Sequence, residues 1–252
     1  MMRILTTTMF AATLAQAASL TPLLDVAARS AEREITALAS VACTETVIET
    51  KLNPKDKAEE RRRQTFDYLV LVDSDDGEMA VTESRVEQGK PKSNTAKPLL
   101  GSTGFATMML ILHPYYQNSF EFTDLGMVEE GGHKWRRLGF EYRPGKRSPS
   151  LMRAGTREYP LAWKGEAHIN DETGQVVSIH ASLGAQLEEI GLAGLEVDVR
   201  YGMQAGSAEW LPQEAVIDLR TRHQHWRNVH TFASYKRFDV AVSEKLEGTK
   251  KP

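Results

Sequence analysis

With 252 residues, 41% of them hydrophobic, and 31 Lys and Arg against 34 Asp and Glu, the chain can bury a substantial core and is close to electrically neutral. A net charge of −3 is not that of a nucleic-acid binder. The single cysteine, Cys43, excludes an internal disulfide, so packing alone must hold the fold.

The first seventeen residues read as a cleavable export signal. Met1-Met2-Arg3 is a positive start, Ile4 to Leu14 is an apolar run too short to span a bilayer, and Ala15-Gln16-Ala17 is a small-x-small cleavage site. The expected mature protein lies outside the cytoplasm and starts at Ala18, with a single domain over 18–243 and a flexible charged tail over 244–252. Cys43 lacks the context of a lipid anchor, and its place in a strand over 41–48 predicts a buried, inert thiol.

Thr21-Pro22 reads as a helix N-cap followed by proline at the first helical position. Leu24, Ala27, Ala28, Ala31, Ile35 and Leu38 then give one apolar stripe over a helix of 22–39. From residue 41 the period changes to two. Phe66, Tyr68, Val70 and Val72 share a strand face, and a turn through Asp73 to Gly77 leads to a strand over 78–86. Residues 87–97 read as a polar loop. A second helix is expected over 105–112, capped by Ser102 or Thr103, apolar all round and ended by His113-Pro114.

The second half alternates almost throughout. Leu138, Phe140 and Tyr142 share a face, as do Trp163, Gly165, Ala167 and Ile169. Asn170 to Gly174 makes a hairpin turn into Val177, Ile179, Ala181 and Leu183. Val197, Val199, Tyr201 and Met203 follow, then Ala215, Ile217 and Leu219, and Phe238, Val240 and Val242 close the series. About ten meandering strands with one apolar face predict an antiparallel sheet curled around its own core.

Signatures of common chemistry are missing from the sequence: no nucleophile elbow, glycine-rich phosphate loop, HExxH or paired-cysteine metal site occurs. His223 and His225 on one strand face, completed by His230 or Asp218, form the alternative reading, a metal site in an envelope hydrolase or metal-dependent enzyme. Against it, Arg220, Arg222 and Gln224 surround the pair as on a polar outer face. His168 and His180 fall diagonally on the polar side of a predicted hairpin. Glu166 with Glu141 or Asp198 could supply a carboxylate pair, but each alternates with apolar residues and so faces solvent. Arg61-Arg62-Arg63 reads as a solvated start of a strand. Phe105, Met108, Met109, Leu110 and Leu112 are core residues or, over a cavity, a pliable lid for acyl chains.

Tyr68-Leu-Val-Leu-Val72, Gly174-Gln-Val-Val177 after an Asp-Glu-Thr turn, Trp210-Leu-Pro212 and the run from Tyr235 to Val242 give the chain its family likeness. Together with the leader, early helix and long meander, they resemble the periplasmic lipoprotein-carrier-like superfamily, which includes the outer-membrane lipoprotein-sorting chaperone. The resemblance implies an α+β fold in which a highly curved antiparallel sheet, an unclosed β-barrel of about ten strands, wraps two or three helices. It also implies an exported, non-catalytic, monomeric protein without cofactor, holding a lipid or lipidated protein and touching envelope membrane proteins transiently. The cavity is expected to draw on Phe66, Tyr68, Met108, Leu112, Phe140 and Tyr201. The chain departs from the carriers in extra length near 87–100 and 143–160, and their functional arginine maps to no position here.

Overall fold

The computed structural model describes residues 9–75, 77–89, 104–154, 156–204 and 209–238. Helix α1 (Met9–Leu38) leads into β1 (Val41–Leu52), β2 (Ala58–Asp75) and β3 (Glu78–Glu87). After a crossing segment come β4 (Phe120–Glu130) and β5 (His133–Tyr142), a small separate hairpin of β6 (Leu151–Ala154) and β7 (Arg157–Pro160), then β8 (Trp163–Ile169) and β9 (Val176–Leu183). The chain continues through β10 (Leu192–Met203), β11 (Trp210–Thr221) and β12 (His225–Arg237). Ten strands form one antiparallel sheet in the order β3-β2-β1-β12-β11-β10-β9-β8-β5-β4. β3 and β4 are its two edges, so the sheet stays open, as the α+β half-barrel expectation requires.

Its curvature follows from one contact. In a flat sheet β3 and β5 would lie eight strand spacings, or about 38 Å, apart. Yet Arg147, just past the end of β5, donates a hydrogen bond to Glu78 at the start of β3 at 2.8 Å. A handful of loop residues cannot bridge that span, so the sheet curls until its two sides nearly meet.

The inner face is what the alternation predicts. Trp163, Ala167, Ile169, Ala181, Val197, Val199 and Ala215 are fully buried, and Leu138, Phe140, Ile179, Ile217 and Leu219 join them. Met203, assigned to the same face, is 63% exposed at the end of β10, and at the irregular start of β9 Val176 is buried in place of Val177. Helix α1 turns Ala27, Ala31, Ile35 and Leu38 inward and touches β1, β2, β4, β9 and β11. Gly174, with φ +73°, lets the β8–β9 turn approach that helix. A Cβ there would stand 2.3 Å from the Val26 carbonyl oxygen.

Three local expectations need correction. Helix α1 begins by Met9 rather than at residue 22, so Pro22 lies inside it and gives up one backbone hydrogen bond. The apolar run 105–112 is not an α-helix. Met108–Ile111 is a 3₁₀ turn, held by Leu110 N–H to Thr107 O and Leu112 N–H to Met109 O, both 2.9 Å. His113-Pro114 then starts a helix instead of ending one. In α2 (Pro114–Gln117) proline takes the first position, and His113 Nδ1 accepts the Tyr115 N–H at 3.2 Å. The last described strand ends at Arg237, and the strand expected over 238–242 falls outside the described residues apart from residue 238. The caps at Ser102 or Thr103, most of the 87–97 loop and the tail over 244–252 also fall outside them.

Candidate functional site

The link from β3 to β4 must pass from one edge of the sheet to the other. Its described part, 104–119, does so through the concavity. Met108, Met109, Leu110, Ile111 and Leu112 are all 0–2% exposed and form a plug against the sheet. Few polar bonds hold it: Tyr201 Oη accepts the Met109 N–H at 3.2 Å, and Gln117 donates to the Leu24 carbonyl of α1 at 3.0 Å. Of the residues expected to line a cavity, Tyr68, Met108, Leu112, Phe140 and Tyr201 lie in one contiguous apolar cluster, packed by the plug and α1. Phe66 faces the same side opposite Glu45 but is only half-buried and lies outside that cluster.

The other side of the concavity mixes apolar residues with a buried polar network. The parity that buries Val41, Cys43 and Val47 also buries Glu45 and Glu49, and on β12 it buries Asn228 and His230 beside Phe232. Glu45 is the centre of this network. It accepts two hydrogen bonds from Arg85, one of them at 2.7 Å, and lies 2.7 Å from His230 Nδ1. Arg85 reaches it from the edge strand by crossing β2 over the Tyr68 ring, 5.6 Å from its centroid, and also pairs with Glu83 at 3.5 Å. Burial alone would raise the Glu45 carboxyl, but the bonds from His230 and Arg85 bring it below the ordinary carboxylate range. Desolvation keeps Glu83 raised despite Arg85. One guanidinium thus lies between two buried carboxyls whose pKa values are pushed in opposite directions.

Helix α1 adds a second buried acid. Glu34, 5% exposed, accepts a hydrogen bond from Ser30 Oγ at 2.9 Å, while its other carboxylate oxygen has no partner. Desolvation pushes its pKa up to about 8, so it packs as a neutral acid. At the mouth, Glu78 takes hydrogen bonds from Arg147 at 2.8 Å and from the Tyr115 hydroxyl at 2.5 Å, and Arg147 lies 4.3 Å from the Tyr115 ring centroid. That clasp joins one sheet edge, the plug and the loop after β5.

The three histidines of the alternative reading do not converge. His223 sits in the turn between β11 and β12. His225 points outward and bridges Asp56 at 3.0 Å and Asp218 at 2.7 Å. His230, five positions on, has the opposite parity and is buried inside. Among the described residues no group of three or more His, Cys, Asp or Glu could hold a metal ion. On the convex face Glu166 is paired with Arg137 at 2.7 Å and lies directly opposite His180, while His168 is opposite Ser178. No described helix is long and apolar enough to cross a membrane.

Sequence reading found the plug but missed the polar network. Its signal was present in β1, where Glu45 and Glu49 continue the parity of Val41, Cys43 and Val47.

No family model matches the chain, and no curated protein does. The solved structures similar to it include two of different family descriptions. One is a DUF1329 family protein from Desulfovibrio piger, at 12% identity, with 89% of this chain and 95% of that chain covered and a TM-score of 0.49. The other is a LolA superfamily protein from Nitrosomonas europaea, at 10% identity, with 85% and 94% covered and a TM-score of 0.40.

Proposed function

We propose that the protein is an exported, non-catalytic carrier that holds an acyl chain of a lipid or lipidated protein in the concavity of its half-barrel. The observation that carries this reading is the plug. A Met-rich stretch of five buried residues, 108–112, occupies an open sheet between its two edges, tied by few polar bonds. Such a segment can be exchanged for another apolar body. Burying five apolar side chains gives on the order of 10 kcal/mol, and an acyl chain of about fifteen methylenes at about 0.8 kcal/mol each gives a similar amount. Replacement of one by the other is close to balanced, which favours reversible loading. Methionine adapts its shape to irregular partners and suits the displaced segment for the open state.

Residues 1–17 act in this reading as the export signal, removed before folding. N-terminal sequencing of the protein recovered from the envelope should begin at Ala18.

The binding test is native mass spectrometry of the purified protein, followed by titration with a fluorescent palmitoyl probe. Co-purifying lipid mass, saturable probe uptake and faster uptake in Leu112→Ala are expected. A protein that carries no lipid and takes up no probe would overturn the reading.

A further inference from the structure

The Arg61-Arg62-Arg63 run has a place in the fold that the carrier reading does not use. Because β1 and β12 pair, with Thr50 opposite Arg227 and Leu52 opposite His225, the β1–β2 and β11–β12 turns lie side by side. They occupy the ends of their strands remote from the start of β1, where α1 joins the sheet. Residues 51–63 and 218–227 together carry nine Lys and Arg against four Asp and Glu, in a chain whose net charge is −3. All four carboxylates are engaged: Asp56 with His225, Asp218 with His225 and Arg227, Glu59 with Lys51, and Glu60 with Arg62. Lys55, Lys57, Arg61, Arg63, Arg220 and Arg222 are exposed, and their side chains make no ion pair or hydrogen bond among the described residues.

Register places Arg61 and Arg63 on the convex side of β2, beside Thr50 and Ile48, and Arg220 on the same side of β11, beside His225. Three strand spacings, about 14 Å, separate β2 from β11, and the other three cations sit in the adjoining turns. The surface offers no exposed apolar anchor. Among the described residues the exposed large hydrophobic ones are Leu71, Val86, Leu125, Met127, Leu151 and Met203, none of them in these two segments. A protein interface is built around buried aromatic or aliphatic anchors, whereas a layer of phosphate headgroups needs only spaced cations.

We infer that this basic end is a docking surface for an anionic lipid bilayer, held by headgroup phosphates without insertion. Its failure would be separate from that of acyl binding, since it uses none of the interior residues.

Co-sedimentation with vesicles tests it. Vesicles containing about 30 mol % phosphatidylglycerol should bind the protein at least about tenfold more tightly than pure phosphatidylcholine, and about 0.5 M salt should release it. The combined variant Arg61→Glu, Arg63→Glu, Arg220→Glu should lose binding with an unchanged thermal melt, while Arg157→Glu on the β6–β7 hairpin should retain it. Absence of vesicle binding, equal binding to both compositions, or an unaffected triple variant would each overturn the inference. Retention on immobilised heparin without vesicle binding would also overturn it and assign the surface to an acidic macromolecule.

Discussion

Arg147 and Glu78 are 69 positions apart in the chain, and their ion pair is what closes the open side of the half-barrel. Tyr115 completes the junction, and its hydroxyl, with Arg147, holds the Glu78 carboxyl below the usual carboxylate range. The three groups sit at the surface, so their bond regulates local opening more than global stability. Arg147→Ala should leave the melting temperature nearly unchanged while accelerating hydrogen exchange across 105–117. The same acceleration should appear in the wild type when the pH falls through the depressed Glu78 pKa and the pair is lost. Unchanged exchange in that segment would show that the clasp holds nothing.

Glu34 makes a prediction of opposite sense. Its pKa is about 8 in the folded protein against an ordinary 4.5, so the folded state keeps a proton that the unfolded chain has lost. Its contribution therefore becomes increasingly unfavourable from pH 4.5 to about 8 and is constant above that, at a cost of order 5 kcal/mol. Glu34→Gln should gain stability over the wild type as the pH rises through this window, with the gain smallest near pH 4.5. Parallel denaturant titrations at several pH values measure it, and a difference independent of pH would refute the assignment.

The Arg85–Glu45–His230 network should respond as a buried charge system. Arg85→Ala leaves the Glu45 carboxylate, which is wholly buried, with only His230, and should cost about 3–5 kcal/mol. Replacing all three by Met, Met and Leu should cost less than the single change, because the Glu45 charge is then no longer stranded. In the wild type, Glu45 contributes stability that is present above its unfolded pKa and is lost as the pH falls through its depressed folded value. Urea titrations of the two variants decide the order.

Cys43, buried in β1, has its pKa pushed up to about 12 by desolvation. A thiol reagent at neutral pH should label it only at the rate of global unfolding. Rapid labelling of the native protein would show that this side of the sheet opens on its own.

How far these features could be read from sequence depended on parity and distance. Trp163 to Ile169 alternates cleanly and pairs with its immediate successor in the chain, so its inner face was legible. Of β12, only the ends at His225 and from Tyr235 onward were legible as strand. Its inward residues include Asn228 and His230, and the partner that makes the burial of His230 tolerable, Glu45, lies 185 positions earlier. Arg85 finds Glu45 only because β2 lies between their strands. The run 105–112 looked like a buried helix because apolar content alone does not separate a long helix from a short turn filling a concave sheet. The clasp needed the curl of the whole sheet and carried no local signal.

Pairing of β1 with β12 also dictates when this protein can fold. Within the sheet, the β1–β3 meander pairs with the remaining seven strands only through β12, the last described strand, so this seam is the strand pairing of longest sequence separation. Closing so large a loop is entropically costly and slow. In a nascent chain the two groups of strands therefore stay unpaired with each other, each with an exposed strand edge, until residue 237 has emerged. Premature termination anywhere before β12 yields an aggregation-prone fragment rather than a smaller version of the fold.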